Sequence, residues 1–142
     1  MKLFRVACFG LIVSLLGGCA TSLNSVQKSE YNSMVAANKL IEEKDPTSGA
    51  LFGLLPGGGS FYARETGFGI ANLLLWPLSI LWDPVSGYEG SKVINYNMTK
   101  QKLKKEMDVE MSSLDDKLTT NQINNNQYVI EKNKISKKYD FN

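Results

Sequence analysis

The stretch LLPGGGSFYARETGFGIANLLLWPLSILWDP, from Leu54 to Pro84, limits what this chain can fold into more than any other part of it. Its apolar run, Phe68 to Trp82, is fifteen residues long and contains Pro77. As a helix it would reach roughly 22 Å, short of the about 30 Å of a bilayer's hydrocarbon core. Pro56 and the glycines Gly57, Gly58 and Gly59 predict that the chain turns just before it. The glycine loop lacks the Gly-Lys-Ser/Thr ending of a phosphate cradle, and Tyr62 stands where a nucleophile elbow around Ser60 needs glycine. Upstream, Asp45 and Pro46 read as the cap and first turn of a helix over Thr47 to Leu55. Gly49 and Gly53 in that piece have the spacing of close helix contact, and a loop is the equal alternative. Residues 46–90 are thus expected to form an apolar, glycine-turned helical hairpin dipping into one leaflet, with burial in a protein core as the competing reading. The residues expected to contact membrane are Phe61, Tyr62, Leu73, Leu74, Leu75, Trp76, Ile80, Leu81 and Trp82. Arg64-Glu65 is expected near the headgroups.

The N-terminus, MKLFRVACFGLIVSLLGGC, carries Lys2 and Arg5 ahead of an apolar run from Val6 to Leu16, the form of a signal peptide. Leu16-Gly17-Gly18-Cys19 resembles the lipobox of bacterial lipoproteins. The resemblance implies cleavage between Gly18 and Cys19, which removes residues 1–18, and a diacylglycerol on the Cys19 thiol. Such lipoproteins typically have Asp after the cysteine when they are kept at the inner membrane; Ala20 here implies an outer-membrane address facing the periplasm. Cys8 would leave with the signal and Cys19 would be capped, so no free thiol remains. The chain has no histidine. A zinc or haem site is therefore not expected, Ser-His and Cys-His pairs are excluded, and no cofactor, metal or catalytic residue is assigned. The carboxylates sit in Lys-rich, helix-like sequence with no apolar cleft to perturb them. The expectation is a non-enzymatic protein.

Charge argues against nucleic acid: the full chain is +2, and loss of Lys2 and Arg5 brings it to neutrality. Residues 20–91 hold four basic and seven acidic residues, and 92–142 ten and seven. The densest basic cluster, Lys100 to Lys105, reads as a solvated helix face. Pro56-Gly57-Gly58-Gly59-Ser60-Phe61-Tyr62, Gly67-Phe68-Gly69-Ile70 and Trp82-Asp83 resemble landmarks of the two-transmembrane-helix domain family, a pair of membrane helices joined by a short loop.

The remaining chain reads as mainly α. Residues 19–45 form the lipidated N-terminus, a linker and a short amphipathic helix built on Tyr31, Met34, Val35, Leu40 and Ile41. After a turn over Val85 to Gly90, a long helix is expected from about Ser91 to Leu118, with Met107, Met111, Leu114 and Leu118 on one face. Asn124 to Gln127 has the form of a capping box opening a shorter helix through Tyr128, Ile130 and Ile135. Leu114, Leu118, Ile123, Tyr128 and Ile135 resemble the short C-terminal (SHOCT) domain, a helical hairpin at chain ends. The resemblance implies that residues 91–142 mediate assembly, with Met107, Met111, Leu114, Leu118 and Tyr128 as candidates to bind a protein partner or a second copy. The expected function is a structural or interaction module, lipid-anchored in the cell envelope. The alternative is a membrane-active, phage- or plasmid-borne exclusion lipoprotein that blocks a channel or receptor.

Overall fold

The computed structural model describes residues 22–141, and the signal segment, Gly18 and Cys19 lie outside them. The described chain is mainly helical and has no strand. In order it comprises α1 (Ser25–Ala36), α2 (Pro46–Phe52), α3 (Gly58–Tyr62), α4 (Thr66–Leu74), a 3-10 turn (Leu78–Leu81), α5 (Asp83–Thr119) and α6 (Asn125–Lys138). It divides into two compact units. The first holds 22–24 and 42–95, the second 25–41 and 96–141.

In the first unit, local signals set the helix ends. The Asp45 carboxylate accepts from the N–H groups of Thr47 and Ser48 and from the Ser48 hydroxyl, and Pro46 occupies the first helical position of α2. These groups would otherwise lack intrahelical partners. Gly57 sits at φ 69°, in the left-handed region that glycine enters without steric penalty, and turns the chain into α3. Gly58 and Gly59 themselves are helical. The apolar run does not form one rod: α4 ends at Leu74, a cis Trp76–Pro77 bond follows, and the 3-10 turn leads into α5.

The expected turn over Val85 to Gly90 is not found. Those residues are helical, because α5 starts at Asp83. Gly87 and Gly90 act there as contact points instead of breakers. A Cβ on Gly87 would lie 2.0 Å from the Gly49 carbonyl oxygen, and one on Gly90 2.5 Å from the Ala63 Cβ. Conversely, a Cβ on Gly49 would fall 2.3 Å from the Gly87 oxygen, and one on Gly53 2.3 Å from Pro84. Helix α2 thus packs on the start of α5 at backbone contact. The Asn95 side chain closes the other end, donating to the Lys44 carbonyl at 2.7 Å and accepting from its N–H at 2.9 Å.

The second unit has a conventional interior. Tyr31, Met34, Tyr96, Leu103 and Leu114 are buried, Met34 to 1 % exposure. Helix α1 ends after Ala36, with Asn38 left-handed, so Leu40 and Ile41 follow the helix and do not extend it. Val35 faces outward. Glu30 accepts from the Tyr96 hydroxyl and the Lys100 ammonium, and the Ile41 N–H donates to Thr99 Oγ1 at 2.9 Å. The capping box at Asn124 and Gln127 opens α6 as the sequence predicts. Tyr128 Oη donates to Asp115 and Tyr139 Oη to Glu110, and Lys138 pairs with Glu110, tying α6 to α5.

Candidate membrane-facing site

The first unit is built inside out. From 46 to 95 its buried residues are Gly49, Gly53, Gly57, Gly59, Ser60, Ala63, Gly69, Asn72, Ser79, Asp83, Ser86, Gly87, Gly90, Ser91 and Asn95. Ala63 carries the largest apolar side chain in that set. The leucines, isoleucines, phenylalanines and tryptophans from 51 to 82 are all exposed, Leu74 at 79 % and Leu81 at 77 %. Exposed apolar surface of this extent marks a contact site for a membrane or another protein.

The interior is polar because a carboxylate organises it. Asp83 is 0 % exposed. Its Oδ2 accepts the Gly59 N–H at 3.0 Å. Its Oδ1 accepts the Ser60 N–H at 3.1 Å, the Ser60 hydroxyl at 2.6 Å and the Asn72 amide at 2.8 Å. Asn72 also donates to Ser60 Oγ, and its own carbonyl accepts Trp82 Nε1 at 2.9 Å. A buried charge is tolerable only when hydrogen-bonded in this way. The two backbone donors are at the start of α3, where a helix favours negative charge. One side chain therefore joins α3, α4 and α5.

Charges other than Asp83 are gathered elsewhere in the unit. Arg64 pairs with Glu43. The Lys44 ammonium lies 4.4 Å from the centre of the Tyr62 ring, which stacks on Phe52. Glu89 pairs with Lys92 at 3.4 Å. Backbone donors in the apolar turns find acceptors within the unit: the N–H groups of Leu54, Leu55, Gly58, Leu75, Trp76, Leu78, Ile80 and Trp82 all bond to nearby carbonyls. Hydrocarbon demands this of any segment placed in it.

Of the nine residues read from the sequence as membrane-contacting, Phe61, Leu73, Leu74, Leu75, Trp76, Ile80, Leu81 and Trp82 are exposed, and Tyr62 is half-buried under Lys44. Sequence reasoning missed the Asp83, Ser60 and Asn72 network. Its trace was the four-residue repeat of small or polar residues Asp83, Gly87, Ser91 and Asn95, all of them buried. No helix among the described residues is long and apolar enough to cross a membrane.

In the second unit, Leu114 is buried, while Met107, Met111, Leu118 and Tyr128 are half-buried. A cavity of about 260 Å³ is lined by Met34, Leu103, Met107, Tyr139 and Phe141, with Glu30, Lys100, Lys104 and Asp140 around them. The Lys100 and Tyr96 hydrogen bonds hold the Glu30 carboxyl below the usual glutamate range, and Glu30 in turn raises Lys100. Lys138 and then Tyr139 lower Glu110 in the same way. No group of three His, Cys, Asp or Glu residues suited to a metal ion occurs among the described residues. Comparison with protein families, with curated proteins and with solved structures finds no match to this chain.

Proposed function

We propose that this protein is a lipid-anchored structural or interaction module of the bacterial envelope, held at the periplasmic side of the outer membrane by a diacylated Cys19 and by the apolar surface of its first unit. The inverted burial of residues 46–95 carries this reading: large apolar side chains face out over a closed polar interior. Each such side chain contributes roughly 1.5 to 3 kcal/mol when taken from water into acyl chains. A handful suffices for stable attachment. The lipobox supplies the covalent anchor and Ala20 the outer-membrane address. The second unit, with its ordinary core and its α5–α6 hairpin, is the part suited to a protein partner or a second copy. Ser60, whose hydroxyl is paired with the buried Asp83 carboxylate, is itself 0 % exposed and out of reach of substrate.

Cells fed labelled palmitate test the anchor. The wild type takes up label and fractionates with the outer membrane; Cys19→Ala loses the label and accumulates as precursor. Equal labelling of Cys19→Ala, or recovery of the wild type mainly with the inner membrane, contradicts the proposal.

A further inference from the structure

The first unit has two ends, and the distance between them has a meaning. Helix α2 leaves the Lys44–Asn95 contact and reaches Pro84 at Gly53. The chain turns at Gly57, and α3 climbs from Gly59 beside Asp83 to Ala63 beside Gly90. Arg64 there meets Glu43. Helix α4 leaves Glu65 and brings Asn72 back to Asp83. Helix α5 then climbs from Asp83 to the Glu89–Lys92 pair and Asn95. One end therefore carries the unit's charges from 42–45, 64–65 and 89–92. The other carries the apolar turns 54–57 and 75–82.

From Asp83 to Lys92, α5 rises about 14 Å, and from Thr66 to Leu74, α4 runs about 12 Å, at 1.5 Å per residue. Half of a bilayer's hydrocarbon core is about 15 Å. We infer that the occupant of this apolar surface is the acyl layer of a single leaflet, with the charged end at the headgroups and the two apolar turns near the midplane. The inference rests on the membrane reading above and adds its depth and sidedness. The charged end also indicates which part of the lipid is recognised. It holds Lys44, Arg64 and Lys92 against Glu42, Glu43, Asp45, Glu65 and Glu89, an acidic excess that gives anionic headgroups no advantage. Insertion follows the acyl chains, so zwitterionic lipid suffices.

The chain has two tryptophans, Trp76 and Trp82, both at the apolar end and both exposed. Full-length lipidated protein, reconstituted into phosphatidylcholine vesicles brominated near the headgroup, at mid-chain or near the chain ends, reads their depth directly. Quenching at least twofold stronger from chain-end than from headgroup bromines is expected, unchanged by 0.5 M salt or by added phosphatidylglycerol. A Leu78→Cys variant, altered at an exposed position, is expected to resist a membrane-impermeant maleimide from either face of the vesicle. Maleimide labelling from the far face shows a crossing and overturns the single-leaflet inference while leaving membrane attachment standing. Strongest quenching from headgroup bromines also overturns it, since the unit then lies flat. Protein that floats through its lipid yet shows no quenching, with cross-linked dimers, assigns the surface to a second copy. Failure to float with the vesicles removes both the inference and the membrane reading.

Discussion

The two units of this chain differ in composition, with the nine glycines, four prolines and two tryptophans of the described residues all in the first, and they sort their apolar residues in opposite ways. In the first, over residues 46–95, glycine, serine, asparagine and aspartate form the interior and leucine and tryptophan the exterior, and Leu23 is the unit's one buried leucine among the described residues. In the second, Met34, Leu103 and Leu114 lie inside, and the lysines and glutamates of α5 and α6 lie outside. The hydrophobic effect drives assembly only where the surroundings are water. Where they are acyl chains, close backbone packing and internal hydrogen bonds must hold the fold. On the proposed reading the contrast is one of surroundings, lipid for the first unit and water for the second, although no described helix is long and apolar enough to span a membrane.

The comparison breaks most readily at Asp83. Replacing it with alanine strands two N–H groups, a hydroxyl and an amide in a closed interior, a loss of about 3 to 5 kcal/mol. Detergent-solubilised Asp83→Ala is expected to lose helicity at markedly lower temperature. Asp83→Asn, which keeps an acceptor for Ser60 and Asn72, loses about half as much. If both variants melt like the wild type, the polar interior is not what holds the first unit. In the second unit the counterpart is Leu103→Ala, an ordinary core truncation expected to destabilise by about 2 to 4 kcal/mol. Leu74→Ala, at an exposed site, leaves the melting temperature nearly unchanged and weakens vesicle binding. Similar melting shifts for the two leucines would erase the distinction between the units.

A smaller contrast uses two helical glycines. Gly87→Ala places a Cβ 2.0 Å from the Gly49 oxygen and is expected to cost about 1 to 3 kcal/mol. Gly67→Ala meets nothing within 4 Å and gains up to about 1 kcal/mol of helix propensity. Thermal melts of the two variants should move in opposite directions.

The smallest expected effect concerns pH and the second unit. Glu30 is held below its usual range by Lys100 and Tyr96, so its contribution is present at and above ordinary glutamate titration. It is lost as pH falls through the lowered folded value. Lys100 is raised, so its share is present below ordinary lysine titration and is lost only as pH rises through the higher folded value. The wild type minus Glu30→Gln stability difference, about 1 kcal/mol, should be flat between those limits and shrink beyond either. A difference that peaks near pH 5 would contradict this.

Much of the helical content was legible because it is written locally. Asp45-Pro46 and Asn124 to Gln127 carry their caps within three residues, and the four- and three-residue spacing of Met107, Met111, Leu114 and Leu118 marks a helix without any partner. The start of α5 was not legible. Glycine as a helix breaker and glycine as a contact point read alike until α2 is seen lying on Gly87. The Asp83 network joins residues 10 to 24 positions apart, and the Glu30 bonds join residues 66 and 70 apart. No periodicity records pairings of that length. The candidate surface fared better, because a run of leucine and tryptophan is visible whichever way it faces; the polar interior that decides its direction was hidden in scattered single residues.

The central claim, that the first unit is folded for lipid, is tested most directly by flotation of the chain from Thr21 to Asn142, made without signal or lipid, on phosphatidylcholine vesicles. The account predicts that this protein floats with the vesicles and that Leu74→Asp combined with Leu81→Asp, at positions already exposed, releases it into the soluble fraction. A wild-type protein that stays soluble and monomeric beside the vesicles would contradict it.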